Sequence, residues 1–349
     1  MQNTTMNLKE LSRNLGLSQT TVSRALNGYP EVSLKTRQRV ERAAKQYGYR
    51  PSLRAKGLAT GRALAIGHVV PVGNKPEMVN PVFGDFIAGA GETYAKHGYE
   101  MILSVAGDGN EDQVYRGLKA RRAVDGVIVH GPRIDEPRIA LLRELGLPFA
   151  VHGRTGGENP DFTWLDVNNH GAFSRATTYL IHLGHARIGL INGPENLDFA
   201  HRRRAGYVDT LAEHGLALNP ALLHADQMTE VSGHAAAARM LDGPDAPSAF
   251  LCASLVSALG VRRAVEERGL RMGHDVSIIT FDDALSYLQN GADTPIFTAM
   301  RSSVRMAGGK LAEMLLHVIA NPNDPPQTEL LEAELVIGHS TGPAPQAGH

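Results

Sequence analysis

The sequence predicts an all-α helix-turn-helix head joined to an α/β core made of two doubly wound parallel-sheet subdomains. Three observations lead there. Basic residues crowd the first sixty-two positions while the rest of the chain is acidic. Three short helical patterns, punctuated by glycine, fill the first fifty residues. From residue 63 onward short apolar runs alternate with helical segments, and that pattern starts afresh near residue 165.

Length and composition set the frame. At 349 residues the chain exceeds what one hydrophobic core usually supports, so two or three domains are expected. A hydrophobic share of 42% with 20% charged residues is ordinary for a globular protein. The single cysteine, Cys252, rules out an internal disulfide framework and fits a reducing cytosol. The opening run MQNTTMNLKELSRNLG has no apolar core of signal-peptide type. No stretch reaches the ~18–20 apolar residues of a spanning helix. A cytoplasmic protein with no membrane partner is expected.

The net charge of -1 conceals a strong asymmetry. Residues 1–62 hold twelve Lys/Arg against three acids, and the remainder holds 23 against 33. A basic module on an acidic body suits a nucleic-acid reader. A solvated basic helix face would give the same imbalance, so charge alone decides nothing.

In the head, Leu8, Leu11 and Leu15 share one helix face, and Gly16 is placed to end that helix. Ser18 is a good N-cap for a second helix, Gln19 to Leu26, stopped by Asn27-Gly28. Ser33 can cap a third from about Leu34 to Gln46, with Val40, Ala43, Ala44 and Tyr47 at helical spacing. Such a unit places its second helix in the major groove. Gln19, Thr20, Thr21, Ser23 and Arg24 offer the amide, hydroxyl and guanidinium groups that read base edges and phosphates. Val22, Ala25 and Leu26 supply the buried side.

The runs Leu17–Asn27, Val32–Arg37 and Tyr47–Pro51 together resemble the head of the lac repressor (LacI/GalR) family over roughly fifty residues without a gap. The resemblance implies a ligand-switched transcriptional regulator, expected to be a repressor of carbohydrate-utilisation genes. It implies that Gln19 and Thr20 choose the bases. Thr21, Ser23, Arg24 and Asn27 then hold the helix in place, with Thr5, Ser18 and Tyr49 as further DNA contacts. Pro51 breaks the third helix, and the nine residues Ser52–Thr60 are too short for a stable isolated helix. A plain linker is the simpler reading of that stretch. The resemblance instead implies a hinge helix that orders on DNA. Leu58 would be its minor-groove wedge, Ala55 the small residue where two hinges cross, and Lys56 a phosphate contact. A pseudo-palindromic operator with a flexible central CG step is implied, bound by a homodimer.

The core reads as strand Ala63–Val70, helix Phe83–His97, strand Glu100–Val105, helix Asp112–Arg121, strand Gly126–His130, helix Pro137–Leu145 and strand Leu147–His152. After Asp166 come helix Gly171–Leu183, strand Arg187–Ile191, and helices Arg202–His214 and Val231–Leu241. Strand Ala249–Ala253, helix Val256–Arg268 and strand Val276–Phe281 follow. Ligands of such folds bind beyond the carboxyl ends of the strands, here between the subdomains. The core also resembles the family, and through it the periplasmic sugar-binding proteins, at Asn80–Phe83, Val124–Ile128, His182–Ile188, Asn192–Pro194, Arg203–Tyr207 and Val276–Asp283.

The resemblance implies domain limits of 1–50 for the head and 51–62 for the hinge. The first subdomain is expected at 63–164 with about 295–322, the second at 165–294 with about 323–341, and a flexible tail at 342–349. It places Arg203 where a bidentate hold on the effector is made and Asp282 where a carboxylate accepts its hydroxyls. Phe83, Trp164, Phe199 and Phe281 could give a sugar ring an apolar floor, although each could equally be core. Two departures from the family pattern blur the ligand. Ser254-Leu255 stands where many relatives have Asn-Asp, and Gly153 where many have aspartate, leaving Ser254, His152 and Arg154 as pocket candidates.

Other signals are weaker. Gly89-Ala90-Gly91 lies inside a helical pattern, which favours close helix packing over a dinucleotide loop. His182, His185 and the Asp282-Asp283 pair lack further metal ligands. No nucleophile elbow is present, so neither an enzyme nor a cofactor is expected. A sugar-transport receptor would need an export signal. The tail Ser340–Pro345 is too rich in Pro and Gly for a tetramer-forming leucine helix, so a dimer is expected.

Overall fold

The computed structural model describes residues 6–26, 28–49, 61–71, 80–107, 109–155, 161–281 and 284–346. The chain divides into two units, Met1–Leu64 and Ala65–His349. In the first, α1 (Leu8–Leu15), α2 (Gln19–Leu26) and α3 (Leu34–Gln46) have the limits that caps and apolar spacing predict. Asn7 accepts from the Glu10 N–H while the Glu10 carboxylate accepts from the Asn7 N–H, closing a capping box. Gly16 ends α1 at φ 63°, which a side chain would resist. Leu11, Val22 and Val40 are fully buried where the three helices meet. Two of the head's basic residues serve this packing: Arg39 donates to the Leu15 carbonyl, and Arg37 to those of Gly28 and Tyr29. The hinge residues Ala55, Lys56 and Leu58, with Thr5 and Asn27, lie outside the described residues.

The second unit contains two six-stranded sheets. The first is built from β1 (Ala65–Pro71), β2 (Glu100–Ala106), β3 (Gly126–His130), β4 (Phe149–His152) and β5 (Trp164–Val167). The second holds β6 (Ile188–Asn192), β7 (Leu223–Ala225), β8 (Ala249–Cys252), β9 (Ser277–Phe281) and β10 (Thr298–Arg301). Near the end of the chain β11 (Thr328–Leu331) returns to the first sheet and β12 (Glu334–Val336) to the second. Strand orders are β11-β5-β4-β3-β1-β2 and β12-β10-β9-β8-β6-β7. Every pairing is parallel except β10 with β12.

Helices cover the sheets. They are α4 (Pro81–His97), α5 (Glu111–Ala120), α6 (Pro137–Glu144), α7 (Asn169–His182), α8 (Asp198–Glu213), α9 (Glu230–Leu241), α10 (Leu255–Glu266) and α11 (Val304–Ala320). Helix α4 packs on α11 through glycine: a Cβ on Gly89 would sit 1.9 Å from the Arg305 carbonyl oxygen, and one on Gly308 2.2 Å from that of Phe86. The Gly-Ala-Gly run therefore serves close helix packing. Beneath this pair lie Ile66, Phe86, Ile128 and Leu165, all buried.

The domain limits read from the sequence need four corrections. Trp164–Val167 is the fifth strand of the first sheet, so that subdomain runs on to Val167. The return segment divides: β10 joins the second sheet beside β9 while only α11 covers the first. Conversely β11, expected in the second subdomain, pairs with β5 in the first. These strands are three or four residues long, too short for alternation to reveal a partner. Residues 342–344 are tied down rather than loose, because the Gly342 N–H donates to Ser277 Oγ and the Ala344 N–H to the Leu183 carbonyl. Among the described residues no helix is long and apolar enough to cross a membrane.

Candidate DNA-reading helix and effector cavity

On α2, Gln19 and Thr20 are exposed on the first turn, where side chains of a groove-entering helix come nearest the bases. Ser18 is the N-cap: its Oγ accepts from the Thr21 N–H at 3.0 Å and lies 2.8 Å from Thr21 Oγ1. That contact turns Thr21 toward the cap and leaves Gln19 and Thr20 as the first-turn pair facing outward. Ser23 is half-buried. Arg24 is exposed and pairs with Glu31 at 3.6 Å. Tyr49 packs partly into the head core, so its ring braces the unit.

In the second unit the carboxyl ends of the strands open on a cavity of about 610 Å³ lined from both subdomains. Five of the predicted effector residues line it: Phe83, His152, Phe199, Arg203 and Ser254, with Phe281 beside them. Arg203, on α8, is 5% exposed. Its guanidinium carbon lies 3.9 Å from the Phe281 ring centre and 4.8 Å from that of Phe199. Its Nε donates to Asn169 Oδ1 at 2.7 Å and Nη1 to the Ala253 carbonyl at 2.9 Å. An arginine held this way is a pre-positioned planar donor.

What orients Arg203 was not legible in the sequence. Asn169, in the first turn of α7, donates through Nδ2 to Asp166 Oδ1 at 3.1 Å and to the Val167 carbonyl at 3.0 Å. Its amide oxygen is thereby turned to Arg203. Asp166, buried on β5, is in turn paired with Arg154 Nε at 3.0 Å. Burial pushes the Asp166 carboxyl up to about 6, against the downward pull of the Arg154 hydrogen bond. The four residues form one polar chain from the first subdomain to the second.

Two predicted residues are not on the cavity wall. Trp164 opens β5, three residues short of its carboxyl end, or ~10 Å along a strand. Its ring sits under the Arg154 guanidinium at 5.6 Å, so both lie behind Asp166. Arg154 reaches the site only through that carboxylate. Ser254 lines the cavity, but its Oγ accepts from the Ser257 N–H as the N-cap of α10. Asp282 lies outside the described residues.

On the opposite wall the sequence reading missed His130, Phe86, Glu111 and Arg138. His152 stacks on Phe86 with ring centres 4.2 Å apart, and burial pushes its imidazole down to about 4. It is therefore neutral at physiological pH. Arg138 is buried between Glu136, at 2.6 Å, and Glu111, at 3.4 Å. The cavity thus combines neutral aromatic surface with fixed polar groups, which suits a polyhydroxylated ligand. His185 serves structure, buried between the hydroxyls of Ser248 and Ser277, and the His182 ring lies 6.2 Å from that of His214.

Comparison with known proteins places this architecture. A family profile described as bacterial regulatory proteins, lacI family, matches residues 7–52, and one described as periplasmic binding protein-like domain matches residues 177–341. The chain is 46% identical over 340 residues to the HTH-type transcriptional regulator AglR of Rhizobium meliloti (strain 1021), covering 97% of this chain and 95% of AglR. It is 33% identical to the HTH-type transcriptional regulator RafR of Escherichia coli, over 90% and 92% of the two chains. Among solved structures, a complex of the transcriptional regulator CelR with cellobiose superimposes with a TM-score of 0.71 at 29% identity, covering 96% of this chain and 99% of that one. The lac repressor dimer bound to operator and the anti-inducer ONPF shares the fold, with a TM-score of 0.80 at 24% identity over 97% and 99%.

Proposed function

The chain belongs to the lacI family of bacterial regulatory proteins, and on that premise we propose that it represses carbohydrate-utilisation genes until a saccharide fills the cavity between its core subdomains. It is a DNA-binding transcriptional regulator, not an enzyme. The observation that carries the effector reading is Arg203, buried, braced by Asn169 and laid against aromatic rings in a 610 Å³ cavity. Vicinal hydroxyls suit its planar donors, and Phe83 and Phe199 suit the apolar faces of a sugar ring. Asp282 would add a carboxylate acceptor. The chain works in the cytoplasm as a homodimer, with the two α2 helices on successive half-sites of a pseudo-palindrome. Lys56 would hold phosphates and Leu58 would wedge the central step from the minor groove.

An effector releases DNA only through a difference in its affinity for the DNA-competent and incompetent states. The cavity is lined from both subdomains, so filling it changes how they meet. The test is a thermal-shift panel of glucose, galactose, maltose, sucrose, melibiose and cellobiose on the full chain, followed by operator release with each hit. A saccharide at 100-fold its Kd adds ~2.7 kcal/mol of stability. At least one is expected both to stabilise the protein and to lower operator affinity. Stabilisation by none of them removes the saccharide reading.

Base choice by Gln19 and Thr20 has its own expected result. Exchanging both residues changes the consensus recovered from random operators, because each mismatched pair costs ~1–3 kcal/mol. An unchanged consensus would move the reading residues elsewhere on the head.

A further inference from the structure

Behind His130 the first subdomain contains a buried polar chain that the switch described above does not use. His130 ends β3 and lines the cavity. Its Nε2 lies 2.9 Å from Nδ1 of His68, a residue of β1 with no exposed surface. His68 Nε2 lies 3.1 Å from the hydroxyl of Tyr94, which comes from α4 and is 1% exposed. The two imidazoles are stacked, with ring centres 5.1 Å apart.

We propose that Tyr94 and His68 fix His130 in the tautomer that carries its proton on Nδ1, so that this wall offers the effector a hydrogen-bond donor and selects a group that accepts. The proposal rests on the cavity being the effector site. Proton directions follow from the inventory of each group. Among the described residues the Tyr94 hydroxyl has His68 as its one side-chain partner, so it must donate there or bury an O–H without an acceptor. His68 then accepts at Nε2 and carries its proton on Nδ1. That proton is donated to His130 Nε2, which leaves the His130 proton on Nδ1. Both rings are neutral: burial pushes His68 down to about 3 and His130 well below its ordinary value. Among the described residues no protein group bonds His130 Nδ1, and that nitrogen is not sealed from its surroundings, so it is open to the cavity. Tyr94 and His68 are positioning residues, and His130 is the group that touches ligand. An ether, ring or glycosidic oxygen meets this wall well, as does a hydroxyl oxygen whose own proton points elsewhere.

The test is a long-range proton–nitrogen correlation spectrum of the uniformly labelled full chain at pH 7, with His130 identified by its loss in His130→Asn. The expected spectrum shows His130 protonated at Nδ1 and bare at Nε2. Protonation at Nε2 overturns the proposal, and it does so with no ligand present. In Tyr94→Phe the constraint on His68 is lost, and the His130 nitrogens are expected to shift toward a mixture of tautomers. If that variant fails to fold, the wild-type spectrum alone decides. For any saccharide of the panel that stabilises the wild type, Tyr94→Phe is expected to bind roughly three- to tenfold more weakly. Unchanged affinity would overturn the selective role. Failure of every saccharide on the wild type would retire the effector reading, while the spectrum still decides the tautomer.

Discussion

Arg203→Ala is expected to abolish the response to effector while leaving operator affinity nearly unchanged. The side chain supplies the planar donor of the cavity and also satisfies Asn169 Oδ1 and the Ala253 carbonyl. Loss of one charge-assisted partner costs ~1.5–3 kcal/mol, about ten- to a hundredfold in ligand affinity. Because both protein acceptors are buried, some loss of melting temperature is expected as well. Arg203→Lys separates the two contributions: it keeps the charge but not the fork, so stability recovers more than ligand affinity does. A full ligand response in Arg203→Ala, measured by titrating operator release, would take Arg203 out of the effector site. Equal losses of stability and operator binding, with the ligand response intact, would make it a structural ion.

Among the described glycines, Gly89→Ala is the alanine substitution expected to cost the core most. The new methyl would stand 1.9 Å from a backbone oxygen of α11, and neither helix backbone can turn aside as a side chain would. Overpacking of this kind costs ~1–3 kcal/mol, and here the upper end applies. For a unit of this size ~3 kcal/mol lowers the melting temperature by roughly 5 °C. Effector affinity should fall too, since Val304 and Ala307 of α11 line the cavity and would be pushed outward. A melting temperature within a degree of wild type would mean that the two helices part freely at this crossing.

The sequence was most informative where a local rule acts alone. Ser18, Ser33 and Gly16 mark helix ends by chemistry that needs no distant partner, and all three head helices have the limits these residues set. Phe83, His152 and Arg203 stand at the ends of elements already legible as strand or helix and Ser254 directly follows such a strand, whereas Phe199 precedes the helix as the sequence showed it. The family resemblance, not the element ends, singled out Arg203 and Ser254. Trp164 and Arg154 were misplaced because strand β5 was not recognised, and with it the depth of each residue below the strand ends was lost. Asp166, Asn169 and His130 carry no local signature. An aspartate between Leu165 and Val167 reads as a strand residue, and only the approach of Arg154 and α7 makes it a brace. The exchange of β10, α11 and β11 is likewise a matter of which sheet edge is open, which no short segment reveals.

Between Val167 and Asn169, Arg301 and Val304, and Leu331 and Glu334 the chain passes from one sheet or its covering helices to the other. The ribosome therefore releases β1 to β5 long before the helix that covers them. Until α11 has emerged, the apolar side of that sheet, with Ile66, Ile128 and Leu165, lacks half its cover. Its outer edge at β5 stays open until β11 arrives. The second subdomain is synthesised almost whole in the interval and can assemble first. The half of the core that begins the chain thus waits for segments made near its end, and nascent chains stalled before residue 331 carry an unpaired strand edge to which another such chain can add.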